Sequence, residues 1–145
     1  MSTASLIWLT TVADMTLWRW LADLVLVTHA AYVLFVVGGQ ALIVIGWMRG
    51  WEWTLCRVFR LLHLVAIGLV MLEAWLGINC PLTIMENFLR SQAGAVTYED
   101  NFIGHWLRSL IFYTAPEWIF TMIYTAFTAL VILTWLAYPP RRKLR

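Results

Sequence analysis

Charged side chains are scarce in this chain. They make up 12% of its 145 residues, whereas an average soluble domain carries about 25%. Hydrophobic residues make up 62%. A soluble domain of this length could not hide so much apolar surface, because small domains bury only about two-thirds of the surface that the unfolded chain exposes. The composition therefore excludes an ordinary soluble domain and predicts an integral membrane protein in contact with the lipid bilayer.

Cysteine is also scarce, with Cys56 and Cys80 alone. Two cysteines cannot form a disulfide framework. The topology derived below places them on opposite sides of a membrane, where they are too far apart to be bridged. We interpret both as thiols that pack like small apolar groups.

Motifs that carry chemistry are missing. The sequence has no CxxC, HExxH or P-loop pattern and no nucleophile beside a base. It has no basic face with interleaved aromatic residues, only a short basic tail, which excludes nucleic acid as a partner. No catalytic residue is therefore assigned, and the sequence does not say whether the protein is an enzyme.

Three apolar segments are long enough to cross a bilayer, which takes about 20 residues. We predict spans at about 21–48, 57–79 and 117–138. Tryptophans flank the segments, as is typical of membrane–water interfaces. The connector at 49–53 is short, so the second span returns antiparallel to the first. The predicted fold is all-α, with three transmembrane helices in a single membrane domain at 17–138.

The remaining segments are predicted to lie at the membrane surface. Residues 1–16 are expected to be an interfacial arm, residues 80–116 a cap of two short amphipathic helices, and residues 139–145 a basic tail. The cap begins at a turn that ends the second span because proline cannot continue a helix. Thr83 and Glu86 fit the spacing of a capping box. The residues of this structural turn are Cys80, Pro81, Thr83, Glu86 and Asn87.

The distribution of Lys and Arg predicts the orientation. Seven lie on the side of the connector and tail, and three lie on the other side. Positive residues favour the cytoplasmic side. We therefore expect the C-terminus in the cytoplasm, and the N-terminus and residues 80–116 on the outer, periplasmic side.

Ionisable side chains within or near the spans are the candidate functional groups. Within a span each costs roughly 2.5–3.5 kcal/mol and therefore needs a partner. The candidates for binding a cofactor are His29, His63, Glu73 and His105.

Three interpretations of these side chains remain open. His29 and His63 could hold a haem, although an offset of ~11 Å along the membrane normal, from a rise of 1.5 Å per residue, counts against it. His29, Glu73 and His105 could form a metal or proton site. The simplest interpretation is an interhelical hydrogen bond, for example from His29 to Glu73 or Gln40.

The chain resembles a family of bacterial membrane proteins known as domain of unknown function 2784. The most specific part of the resemblance is the block Ile78-Asn79-Cys80-Pro81-Leu82-Thr83 with Glu86-Asn87. Weaker parts are Leu21-Ala22-Asp23-Leu24-Val25-Leu26 with His29, Leu34-Phe35-Val36-Val37-Gly38-Gly39, Leu62-His63-Leu64, Leu89-Arg90, Ala93-Gly94, Tyr98, and Phe102-Ile103 with His105. The first fourteen residues depart from the usual start of the family. The resemblance implies a small multi-pass protein of the bacterial inner membrane with undetermined activity, and it carries over no catalytic residue.

The leading expectation for function is a non-catalytic accessory subunit of a larger inner-membrane complex. Three helices leave much apolar surface to cover, and the small residues Gly38, Gly39 and Gly68 admit a further helix. The expected partners are other membrane subunits or a second copy of the chain. The alternatives are a membrane protein that binds haem or a metal ion, and a carrier of protons or small solutes that acts as an oligomer.

Overall fold

The computed structural model describes residues 3–97, 102–103 and 116–140, with side chains from residue 14 onward except that of residue 117. Within these ranges it contains four α-helices: α1 (Thr3–Arg49), α2 (Arg57–Leu76), α3 (Pro81–Gln92) and α4 (Glu117–Ala137). A 3-10 turn at Glu52–Leu55 leads from α1 into α2. The all-α prediction is confirmed for the described residues.

Three stretches are long and apolar enough to cross a membrane: Asp14–Arg49, Arg57–Leu76 and Trp118–Ala137. Three helices long and apolar enough for the predicted spans are therefore present, and α2 and α4 begin at residues 57 and 117. α1 itself begins at Thr3, and the start of the first membrane span at about residue 21 stays a prediction. The sequence has no proline and no glycine before Gly38, so nothing ends the helix in this region. An interfacial position for residues 1–16 stays a prediction.

The turn between α2 and α3 is built differently from the predicted one. Gly77 ends α2 in the left-handed conformation, with φ of 64°, and the Ile78 amide donates to Glu73 O at 3.0 Å. Proline suits the first helical position because its missing N–H is not needed there, and α3 begins at Pro81. Thr83 thus lies in the first turn, where its buried hydroxyl has no hydrogen-bond partner. The predicted capping box of Thr83 and Glu86 is wrong.

The described chain divides into two compact units. The first unit comprises residues 3–30, 79–97 and 102–103, and the second comprises residues 31–78 and 116–140. In the first unit Ala22, Val25 and Leu89 form a small core against Trp18 and Leu82. The single membrane domain at 17–138 stays a prediction.

In the second unit, α2 packs along α4. Its apolar core is made of Val36, Ala66, Ile67 and Val131. The Tyr32 hydroxyl donates to Ala66 O at 2.7 Å and ties α1 to α2.

Of the two predicted cap helices, α3 corresponds to the first. The second lies outside the described residues, except that residues 102–103 are helical. Residues 141–145 of the predicted basic tail also lie outside the described part of the chain.

Candidate functional site

Each unit contains a cluster of buried polar side chains. In the first unit, the Glu86 cluster consists of His29, Glu86 and Arg90, and Thr83 is a further buried polar residue of this unit. In the second unit, the Arg60 cluster consists of Gln40, Arg60, His63 and Thr134. All of them except Arg90 are buried, with Glu86 and His63 at 0% exposure. Buried polar groups are costly unless they are paired, so the partners in each cluster show what it can do.

The Glu86 cluster is centred on an ion pair within α3. Arg90 Nε donates to Glu86 Oε1 at 2.8 Å, four residues apart on the helix. Arg90 also reaches Asp23 on α1 at 3.9 Å. The Glu86 side chain is completely buried, whereas that of Asp23 is 58% exposed. Arg90 is therefore held by a buried carboxylate and lies beside an exposed one.

His29 is positioned by its ring. It stacks on Phe102 with the ring centroids 3.9 Å apart, and its imidazole interacts electrostatically with Glu86. His29 Nδ1 and Thr83 Oγ1 are buried without a hydrogen-bond partner. Buried polar atoms of this kind are rare in folded proteins and are usually met by an ordered water or a ligand. His29 Nδ1 and Thr83 Oγ1 are therefore the atoms of this unit that can bind a small polar ligand.

In the Arg60 cluster, Arg60 binds the end of another helix. Its Nη2 donates to Thr134 O at 2.8 Å and to Tyr138 O at 3.1 Å. These carbonyls lie in the last turn of α4 and just beyond it, at the negative end of the helix dipole. Thr134 O also accepts the Tyr138 amide at 3.0 Å, so Arg60 is a second donor to this carbonyl. The guanidinium also lies 5.6 Å from the ring centroid of Trp135. Arg60 thus caps α4 from within α2.

Gln40 and His63 complete this cluster. Gln40 Nε2 donates to Thr134 Oγ1 at 3.2 Å and joins α1 to α4. His63 Nε2 lies 2.7 Å from Val36 O, and it must donate because a carbonyl oxygen only accepts. These bonds join the helices to one another, while Arg60 Nη1 and His63 Nδ1 are buried without a hydrogen-bond partner.

The candidate residues from the sequence are distributed between the units. His29 belongs to the first unit, His63 and Glu73 belong to the second, and His105 lies outside the described residues. Among the residues that the structure describes, no group of three or more His, Cys, Asp or Glu side chains could hold a metal ion. Because His63 Nε2 donates to a carbonyl, that nitrogen has no lone pair for a haem iron.

Sequence reasoning missed the pair of Glu86 and Arg90. Glu86 was interpreted as part of the helix cap, and Arg90 was considered only as one of the basic residues that predict the orientation. An acidic residue four positions before a basic one is a known stabilising pattern on a helix, and this signal would have found the pair.

A cavity of about 230 Å³ lies beside the ion pair in the first unit. Its lining combines three charged residues and three alanines: Arg19, Ala22, Asp23, Arg90, Ala93 and Ala95. Arg90 therefore contributes both to the Glu86 cluster and to this cavity, which we call the Arg19 pocket.

Comparison with known proteins shows the family of the chain. The model of a family described as "Protein of Unknown function (DUF2784)" matches residues 19–140. No curated protein and no solved structure matches the chain. The matched range contains both polar clusters and the Arg19 pocket.

Proposed function

The chain belongs to the family described as Protein of Unknown function (DUF2784), and we propose that it is a non-catalytic accessory subunit of a larger inner-membrane complex. The Arg60 cluster supports this proposal, because hydrogen bonds of its side chains join helices to one another. These polar side chains stabilise the packing of the helices. A subunit of a larger complex also needs a surface that another membrane helix can contact.

The open space beside Gly68 on α2 is the main support for the proposal. A Cβ at Gly39 or Gly46 would lie within 3.0 Å of His63 or Thr54, so packing inside the second unit explains both glycines. A Cβ at Gly68 would meet nothing within 4 Å. Glycine inside a helix costs about 1 kcal/mol relative to alanine, and membrane helices approach one another at small residues. An external helix packed on Gly68 accounts for this glycine.

The expectation that Gly39 admits a further helix is wrong, since His63 fills that position. In each of the three spans, only 22% of the most apolar stretch is buried. We propose that lipid covers most of the exposed surface and that the partner helix packs at Gly68.

A matched pair of substitutions tests the subunit proposal. Gly68→Leu fills the proposed contact, and Ala129→Leu adds the same kind of bulk at an exposed alanine on α4. The protein is expressed at native abundance, solubilised gently and resolved by native electrophoresis. We expect a complex larger than one chain that Gly68→Leu dissociates and Ala129→Leu leaves intact. A solitary monomer in the unsubstituted protein would overturn the proposal.

We also propose that residues 80–116, including α3, cap the periplasmic side and that the C-terminus is cytoplasmic. The support is the distribution of Lys and Arg, of which seven lie on the side of the connector and tail. The test uses an impermeant thiol reagent on intact cells. The exposed Cys56 should react only after permeabilisation, and a cysteine placed at the exposed Gln92 in a Cys56→Ser, Cys80→Ser background should react from outside. The reverse pattern would overturn the orientation.

A second candidate function is binding of a haem or a metal ion through His29. It is favoured by the unpartnered Nδ1 of this buried side chain and by the electrostatic contact with Glu86. A visible spectrum and elemental analysis of the purified protein test it. We expect a Soret band or a stoichiometric metal that His29→Ala removes. A featureless spectrum with no bound metal would exclude this function.

A further inference from the structure

We propose that the Arg19 pocket binds the phosphate headgroup of a phospholipid. Two of its lining residues are small and buried, with Ala22 at 1% and Ala93 at 0% exposure. The charged lining residues are Arg19 and Asp23 from α1 and Arg90 from α3. Together they line a cavity of about 230 Å³ in which a polar group can lie.

Arg19 is the cation of the pocket that can receive an anion. The lining holds Arg19, Asp23 and Arg90, and Arg90 already pairs with Glu86 at 2.8 Å and lies 3.9 Å from Asp23. Arg90 is held by Nε on the buried Glu86, which leaves further N–H donors of its guanidinium for a ligand. In the part of the chain that the structure describes, Arg19 takes part in neither of these two ion pairs. Arginine matches the geometry of phosphate with paired N–H donors.

The position of the pocket in the sequence points to a lipid. After Asp23, α1 carries no Asp, Glu, Lys or Arg until its last residue, Arg49. Trp18 and Trp20 flank Arg19, and Trp20 is 70% exposed. Tryptophan gathers at the level of lipid headgroups. The Arg19 pocket therefore lies where a phospholipid presents its phosphate.

Asp23 gives the pocket a preference among lipids. Its carboxylate lines the same cavity and is 58% exposed. A headgroup with both a phosphate and a primary amine can place the phosphate on Arg19 and Arg90 and the ammonium on Asp23. We therefore assign phosphatidylethanolamine as the favoured class, ahead of phosphatidylglycerol, which has no amine.

The test is lipid binding to the full chain in detergent, followed by native mass spectrometry. The probes are short-chain phosphatidylethanolamine, short-chain phosphatidylglycerol and inorganic phosphate. Arg19→Gln should weaken lipid binding about tenfold, the equivalent of about 1.4 kcal/mol. Arg57→Gln removes an exposed arginine outside the pocket and should leave binding unchanged. Asp23→Asn should remove the preference for phosphatidylethanolamine.

The outcomes separate the sources of the phosphate. Equal binding of inorganic phosphate and lipid would overturn the lipid assignment and leave a site for free phosphate. Equal effects of Arg19→Gln and Arg57→Gln would overturn the site itself. Arg19→Lys keeps the charge and should give intermediate affinity, because lysine cannot donate in the paired geometry of arginine. Unchanged affinity in Arg19→Lys would contradict paired recognition by Arg19.

Discussion

The imidazole of His63 lies directly against the backbone of Gly39. A Cβ built on Gly39 would be 2.8 Å from His63 Cδ2 and 3.2 Å from Nε2. The same Nε2 lies 2.7 Å from Val36 O, on α1 about one turn before Gly39. The absent side chain at residue 39 therefore allows the hydrogen bond that joins α1 to α2.

Gly39→Ala should destabilise the protein, because the new Cβ forces the His63 ring away from Val36 O. Overpacking of this kind costs about 1–3 kcal/mol, against which alanine gains about 1 kcal/mol in helix propensity. The matched control is Gly38→Ala, whose Cβ would meet only Leu34 Cδ1, at 3.6 Å. We expect a lower unfolding temperature in detergent for Gly39→Ala and an unchanged or higher one for Gly38→Ala. Equal shifts in both variants would contradict the close contact.

Arg60→Leu should loosen the end of α4. The substitution removes the cation that donates to Thr134 O and Tyr138 O, and hydrogen bonds to charged groups contribute about 1.5–3 kcal/mol. Hydrogen exchange of the amides at 134–138 should accelerate. Arg57→Leu, at an exposed position in the first turn of the same helix, is the control and should leave exchange in α4 unchanged. Unaltered protection in Arg60→Leu would show that Arg60 does not cap α4.

Glu86→Gln should destabilise the protein more than Asp23→Asn. Both changes remove one carboxylate that faces Arg90, but Glu86 is completely buried at 2.8 Å and Asp23 is exposed at 3.9 Å. A buried charged hydrogen bond contributes about 1.5–3 kcal/mol, whereas an exposed ion pair contributes at most about 1 kcal/mol. Chemical unfolding of the two variants in the same detergent measures the difference. Equal losses would mean that burial does not decide the strength of these ion pairs.

Gly46→Ala should be rescued in part by Thr54→Ala. A Cβ at Gly46 would lie 2.5 Å from Thr54 Cγ2 and 2.6 Å from its Oγ1. Thr54→Ala removes both atoms, although it also removes the bond from Thr54 Oγ1 to Trp51 O. The double variant should therefore lose less stability than the sum of the single variants, with a coupling of about 0.5–3 kcal/mol. Additive losses would rule out the direct contact.

The sequence predicted the spans well because their signal is local. Apolar length located the second and third spans, and their first residues agree with α2 and α4. Apolar length did not indicate that α1 begins as early as Thr3, because no cap or breaker marks that position. Pro81 was recognised as the end of one span but not as the first residue of α3.

The partners of the buried side chains could not be predicted in the same way. Depth along a helix follows from residue number, but the direction of a side chain around the axis depends on how the helices pack. His29 was paired with Glu73 by depth, and that pairing stays a prediction. Depth did not indicate the electrostatic interaction of His29 with Glu86. For the same reason, the backbone carbonyl Val36 O was not foreseen as the partner of His63. Every residue carries a backbone carbonyl, so a sequence does not indicate which carbonyl accepts a side-chain hydrogen bond.

The cap that Arg60 forms on α4 also constrains biosynthesis. Arg60 emerges from the ribosome 74 residues before its acceptor Thr134. During that interval α2 carries a cation without the carbonyls that compensate it, and an uncompensated arginine in lipid is costly. The charge of Arg60 is therefore compensated by these carbonyls only after α4 has been made.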